Sequence, residues 1–318
     1  TLNTTTSFFD MESLVGGSAD DTFKFTGSRF DYITGTLDTG DGWDTLDYSQ
    51  YSDTVFVSWS GNRATGVGSG SGVAESATNF ESVVGSGALN QTVEGPDAAN
   101  EWIIDGVNSG SLNAGQYNFT NMATVQGGPQ QDTFRVESGA AFLNRISGSN
   151  SDTIVLADRA SPIDVNILNR TIPGILGSFY AGEFLIEGDD DNVLVGSTAS
   201  LSLVLNTDGS ATANSVLYSS GFAQFVGGSG TESIRAPLDV ASDWFITAED
   251  AGYLLIGGQR FDFSGVENAY GSNLDDNFTI ENGGAWNGRL YGNSGDDSFN
   301  LFNGQVVGGI FAGNGLDT

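Results

Sequence analysis

Apolar residues recur at every second position in short runs along this chain, and no long stretch shows the three-and-four spacing of an amphipathic helix. Val55-Phe56-Val57-Ser58-Trp59 and Ile163-Asp164-Val165-Asn166-Ile167 each put alternate side chains on one face, the two-residue period of a strand. The pattern predicts many short strands, little helix and an all-β fold.

The runs are separated by a recurring nine-residue phrase. It is clearest at Gly292-Asn293-Ser294-Gly295-Asp296-Asp297-Ser298-Phe299-Asn300, returns as GGSADDTFK from Gly16, GGPQQDTFR from Gly127 and GSNLDDNFT from Gly271, and is looser at Gly40-Asp41-Gly42-Trp43-Asp44-Thr45-Leu46. Glycine supplies the tight turn, the acid can bond its own backbone or hold an ion, and the large apolar residue opens a strand. Phe23, Phe134, Phe278 and Phe299 are therefore expected to form core ladders.

The acids and their counterparts fall at Asp21, Asp44, Gln91, Asp132, Asp152, Asn192, Glu232, Asp276, Asp297 and Asp317, with gaps of 23, 47, 41, 20, 40, 40, 44, 21 and 20. The gaps cluster at one or two units of about 20–23 residues, the length of one coil of a parallel β-solenoid, or β-helix. At one unit per coil the chain holds about fifteen coils, and at the spacing of paired strands a single continuous rod would be roughly 70 Å long.

A longer period lies above this one. Phe8-Phe9-Asp10-Met11, Phe119-Thr120-Asn121-Met122 and Phe263-Ser264-Gly265-Val266 each lead into a copy of the phrase, and Trp102-Ile103-Ile104 answers Trp244-Phe245-Ile246. Phe80 to Gly85 answers Phe222 to Gly227 at the same offset of 142. Three long repeats result, 1–118, 119–262 with an insertion at about 171–205, and an incomplete 263–318, within one continuous solenoid over 1–318. The chain opens and closes inside copies of the pattern and reads as a piece of a longer array, so neighbouring repeats of the parent chain are its first expected partners.

Composition narrows the function classes. Forty acids against ten bases give a net charge of −30, which excludes a nucleic-acid partner and an anionic membrane surface and favours cations. No apolar run is long enough for membrane insertion, and the absence of cysteine excludes disulfides and thiolate metal sites.

The strong acids are unevenly placed. Each long repeat carries them on its first two coils, pairing Asp21 with Asp44, Asp132 with Asp152 and Asp276 with Asp297. In-register stacking sets each pair about one strand spacing apart, where two carboxylates repel unless they are screened or bridged. Two readings stand. Either each Asp caps its turn through an Asx-type bond and faces solvent, or calcium, which takes carboxylate and carbonyl oxygens, lies between adjacent coils with Asp20, Asp41, Asp275 and Asp296 adding oxygens.

The phrase resembles the nonapeptide G-G-x-G-x-D-x-U-x of haemolysin-type calcium-binding (RTX) repeats, in which the glycine turn and the Asp ligate calcium. Those repeats run in tandem, two per coil, whereas here one phrase occupies about twenty residues. The long repeat resembles the haemagglutinin-like β-helical regions of giant bacterial surface and secreted proteins, which implies an extracellular or cell-surface location.

Together these imply a structural segment of a bacterial adhesin, surface-layer or filament protein, not an enzyme. It would act as a stiff spacer, with calcium as candidate ion at Asp20, Asp21, Asp44, Asp132, Asp152, Asp276, Asp296 and Asp297, and with side-by-side self-association and cell-surface glycans as further candidate partners. The alternatives are a carbohydrate-binding module and a polysaccharide-degrading β-helix enzyme. Sugar stacking would use exposed aromatics, for which Trp43 and Trp286 are better placed than Trp102 and Trp244. The enzyme is disfavoured by the lack of histidine and by an acidic surface that would repel polyuronates, and paired carboxylates that recur in every long repeat read more naturally as architecture.

Overall fold

A computed structural model describes residues 12–27, 33–65, 67, 74–75, 77–141, 144–148, 152–159, 164–166, 178–180, 183–188, 192–196, 200–208, 210–213, 216–218 and 222–318. Among them there are only strands, turns and bends, so the protein is all-β. It forms two compact units, Thr1–Ile154 with Gly174–Ala181, and Val155–Pro173 with Gly182–Thr318.

In the first unit one sheet runs Thr22–Gly27, Thr45–Tyr51, Ser82–Val84, Tyr117–Thr120, Ser109–Leu112, Glu101–Gly106 and Thr133–Val136. A second contains Arg145–Ser147, Thr124–Gln126, Gln91–Glu94 and Val55–Ser58, and a small third contains Leu14–Val15, Leu37–Asp38 and Ala77–Thr78. The second unit has the same plan. Leu201–Leu205, Glu232–Arg235, Asn268–Tyr270, Arg289–Ser294 and Ile310–Asn314 lie side by side in one sheet. Phe222–Val226, Gln259–Ser264, Ala251–Ile256, Ser242–Ala248, Asn277–Ile280 and Ser298–Leu301 lie in another, and Ala285–Trp286 pairs with Gln305–Val306 in a third.

Neighbouring strands are mostly parallel and come from successive repeats. Thr22 pairs with Thr45, Thr124 with Arg145, Asn277 with Ser298 and Leu290 with Ile310, which are steps of 23, 21, 21 and 20 residues. Other steps are longer, such as Thr45 to Ser82, Glu101 to Thr133 and Asp243 to Asn277, at 37, 32 and 34 residues. These are where the reading of the longer gaps as two units of equal length must be corrected. The extra residues mainly form antiparallel hairpins and meanders within a repeat, so the count of about fifteen equal coils is too high.

The meanders explain two motifs. Glu101–Gly106, Ser109–Leu112 and Tyr117–Thr120 are antiparallel to one another, as are Ser242–Ala248, Ala251–Ile256 and Gln259–Ser264. Their tight turns use positive φ at Asn108 and Asp250 on one side, and at Asn113, Gly257 and Gly258 on the other. In each middle strand a glycine faces an aromatic, Gly110 opposite Phe119 and Gly252 opposite Phe263. A Cβ on either glycine would strike the carbonyl of Ile103 or Phe245.

The core is a set of apolar ladders. Trp102 stacks on Phe134 at 5.6 Å and meets Phe119 edge-on, while Trp244 stacks on Phe278 at 5.6 Å and tilts against Phe263. Phe134 and Phe278 are fully buried as expected, whereas Phe23 and Phe299 are half-buried. Trp286 is also fully buried, edge-on to Phe263, which overturns its expected exposure, and Trp43 is exposed. Val55, Val57 and Trp59 all face inward. Phe8 to Met11 and 171–177, 181–182, 189–191 and 197–199 of the expected insertion lie outside the described residues, as do Ile163 and Ile167 on either side of the strand Asp164–Asn166.

Candidate functional site: acids that clasp successive repeats

The three predicted acid pairs are adjacent in the structure, and one interaction joins each. The Asp21 N–H donates to Asp44 Oδ1 (2.7 Å), the Asp132 N–H to Asp152 Oδ1 (2.8 Å) and the Asp276 N–H to Asp297 Oδ1 (2.9 Å). Parallel pairing begins one residue later in every case, so the acid occupies the last position before the strand. There its carboxylate reaches back to an amide that the sheet ladder leaves over.

The second carboxylate oxygen closes the turn that precedes it. Asp21 Oδ2 accepts from the Gly17 N–H (2.8 Å) and Asp276 Oδ2 from the Ser272 N–H (2.6 Å). Asp276 thus fixes both its own turn and the repeat before it, whereas the Oδ2 atoms of Asp44, Asp132 and Asp297 face their turns without a formed bond. The glycine five residues ahead of the acid makes room: a Cβ on Gly127, Gly271 or Gly292 would collide with Oδ2 of Asp132, Asp276 or Asp297. This steric demand accounts for the spacing of the phrase.

The columns begin with neutral donors. Asp132 Oδ1 accepts from the backbone and the side-chain amide of Asn100, at 2.9 and 2.7 Å, and Asp276 Oδ1 accepts from the N–H and hydroxyl of Ser242, at 2.6 and 2.7 Å. The columns continue to Glu81 and Glu267, where the sequence shows no phrase, and to the expected Asp317. The Asp44 N–H donates to Glu81 Oε2 (2.8 Å), the Glu232 N–H to Glu267 Oε2 (2.7 Å) and the Asp297 N–H to Asp317 Oδ1 (3.0 Å).

The acid one residue earlier points the other way. Asp20 Oδ1 accepts from the Trp43 N–H (2.8 Å), Asp275 Oδ1 from the Asp296 N–H (2.8 Å) and Asp296 Oδ1 from the Leu316 N–H (2.8 Å). Every one of these donors belongs to the following repeat. In an Asp-Asp dipeptide the second carboxylate therefore grips the repeat behind and the first grips the repeat ahead.

The two rows differ in environment. Asp44, Asp132, Asp152, Asp276 and Asp297 are buried and Asp21 is half-buried, while Asp20 and Asp296 are exposed. The expectation that solvent-facing acids cap the turns is thus half right, because the inner row caps turns from inside the protein. Burial is the leading cause that pushes the carboxyls of Asp132 and Asp276 above the usual range. Asp297 is raised to about 6, first by burial and then by the charges of Asp276, Asp317 and Asp275.

The Oδ1 atoms of Asp44, Asp132, Asp152, Asp276 and Asp297 already accept from N–H donors, and among the described residues no three acids converge in a metal-holding group. Unpartnered buried oxygens do remain on Asp44, Asp132 and Asp297, one on each.

Four functional positions escaped the sequence reading. Glu81 and Glu267 are the column partners of Asp44 and Glu232, where the sequence had aligned Gln91 and Asp276, and Asn100 and Ser242 head their columns. Their shared signal is a polar residue at the first position of a strand or directly before it. Asn192 lies at such a position too, but its side chain is outside the described residues. No protein-family model matches the chain, and no curated protein matches it in sequence.

Proposed function

We propose that the chain is a structural repeat segment, a parallel β-solenoid that serves as a stiff spacer in an extracellular bacterial adhesin, surface-layer or filament protein. The observation that carries this reading is the two-way clasp, in which Asp296 bonds the repeat ahead and Asp297 the repeat behind. Such bonds couple each repeat to its nearest neighbours, which is how a quasi-one-dimensional array gains stiffness. The three Asp-Asp dipeptides that form this clasp contribute six of the forty acids.

Calcium enters this reading at the outer row. Asp20 and Asp296 are exposed, each with one oxygen engaged by the next repeat, so a cation there would screen the row without breaking the inner bonds. Surface exposure and the resemblance to secreted bacterial repeats support the extracellular assignment. No helix among the described residues is long and apolar enough to cross a membrane.

A carbohydrate-binding reading has one observation in its favour. Tyr270, Tyr291 and Phe311 form an outward row, stacked at 4.3 and 5.0 Å, with the Arg235 guanidinium 3.7 Å over Tyr270. Because the rings cover one another's faces, the row offers a saccharide mostly edges, and the spacer reading is preferred.

Small-angle X-ray scattering of the whole chain tests the proposal, with a rod-like intermediate region as the expected result and a compact globular profile as the result that sinks it. Thermal unfolding in EDTA and in a calcium titration tests the ion. One site at a hundredfold excess over Kd adds about 2.7 kcal/mol, and the same rise with magnesium would remove calcium specificity.

A further inference from the structure

Glu232 is fully buried, and neither of its carboxylate oxygens makes a well-formed hydrogen bond, although the Gly228 amide lies close enough to favour the ionised form slightly. It stands in register between Leu201, on the preceding strand of the sheet, and Glu267, on the following one. The Glu232 N–H donates to Glu267 Oε2 (2.7 Å), so the half-buried Glu267 carboxyl lies beside the buried Glu232. Glu267 is the charged group that faces Glu232. Leu201 is apolar, and Arg235 on its own strand turns outward over Tyr270.

The first unit shows what this slot accepts. Phe80 to Gly85 and Phe222 to Gly227 are equivalent, and both glycines donate to the last strand of a meander, Gly85 to Thr120 O and Gly227 to Ser264 O. The buried residue that follows is neutral in the first unit. Gln91 lies beside Val55, its Oε1 accepts from the Ser86 N–H (2.6 Å), and its Nε2 donates to Ser86 Oγ (2.6 Å). In the second unit Gly228 stands where Ser86 would be, so the hydroxyl is missing, and a carboxyl replaces the amide. A site that holds a satisfied amide in one unit suits an uncharged carboxylic acid in the other.

We propose that Glu232 is a proton-held lock: uncharged, it seats between Leu201 and Glu267; ionised, it leaves the slot and frees Glu232–Arg235 from Asn268–Tyr270. The driving force is the cost of a buried, unpartnered charge beside a second carboxylate. Burial, followed by the Glu267 charge, raises the Glu232 carboxyl above the ordinary glutamate value, against a smaller pull from the Gly228 amide. A raised folded value gives a lock that is complete at acid pH and is lost as pH climbs through that value. The array would loosen on its second unit in alkaline surroundings and tighten in acid.

The test is amide hydrogen exchange at Ser233 and Ile234 in the full chain from about pH 4 to about pH 9, corrected for intrinsic exchange rates, with carbon NMR of the Glu232 carboxyl. Between the ordinary glutamate range and the raised value of the closed state, the opening constant of the wild-type protein should rise by up to about tenfold per pH unit, and it should level off above that value. Glu232→Gln should flatten the profile, and Glu267→Gln should keep the rise but move it to lower pH. The proposal is overturned if Glu232→Gln keeps the wild-type slope, or if Glu267→Gln alone abolishes it. A Glu232 carboxyl that titrates in the ordinary glutamate range would also overturn it, and that result needs no variant.

Discussion

Removing the Asp276 carboxylate is the most direct test of the clasp. Asp276→Ala takes the acceptor from the Ser242 N–H and hydroxyl and from the Ser272 N–H, all inside the protein. The hydroxyl can turn to another acceptor, but the two amides cannot. A buried unsatisfied donor costs about 1–3 kcal/mol, so the gross loss is about 2–6 kcal/mol. Burial already raises the Asp276 carboxyl, which means that ionising it in place is unfavourable, and removing it recovers part of that cost. The net expectation is a loss of about 3 kcal/mol, within the range for breaking a buried polar network. Asp276→Asn keeps an acceptor for Ser242 but turns an amide NH2 toward the Ser272 N–H, and should lose about 1–2 kcal/mol. Asp208 is the control, since it is exposed and, among the described residues, bonds Ser210, two residues away. Asp208→Ala should stay within about 0.5–1 kcal/mol of wild type. Equilibrium urea unfolding with unchanged m-values reads all three. Equal losses at Asp276 and Asp208 would refute the idea that the inner acids hold repeats together.

Other consequences follow from the same geometry. Asp297, with a carboxyl at about 6 against an ordinary 3.8, contributes stability that is complete below the ordinary aspartate range and lost as pH rises through about 6; the loss is about 3 kcal/mol, and unfolding of Asp297→Asn should show a correspondingly flatter pH dependence. Gly252→Ala drives a Cβ into the Phe245 carbonyl and should cost more than 2 kcal/mol, whereas Gly258→Ala enters open space and should cost about 1 kcal/mol, through its positive φ alone; the same denaturation assay ranks them. Trp286→Ala empties a fully buried position and should cost about 3–5 kcal/mol, while Trp43→Ala at the surface should cost far less, and the reverse order would contradict the packing.

The fold class was written in the alternation of the strands, and the pairing of acids in their spacing. Val55, Val57 and Trp59 face inward because a strand sends every second side chain to one face. Asp276 and Asp297 meet because the stretch between them contains no insertion. The meanders were hidden. The run after Trp102 reads as glycine, serine and asparagine and has no apolar alternation, since Gly110 gains its cover from Phe119 only after the chain has doubled back. The same doubling back turned gaps near two units into single long steps.

Sequence alone determined that this chain is all-β, that its turns recur with a glycine five residues before an acid, and that particular acids are neighbours. Those features are local, fixed by the two-residue period of strands and by the short reach of an aspartate side chain. Only the tertiary structure decided that the inner acids are buried, that one row points back and the other forward, and that Glu81 and Glu267 join the columns. The reason is that a carboxylate's environment depends on which amide the neighbouring repeat leaves unpaired. That amide lies 20 residues away in one repeat and 37 in another, according to whether a hairpin intervenes.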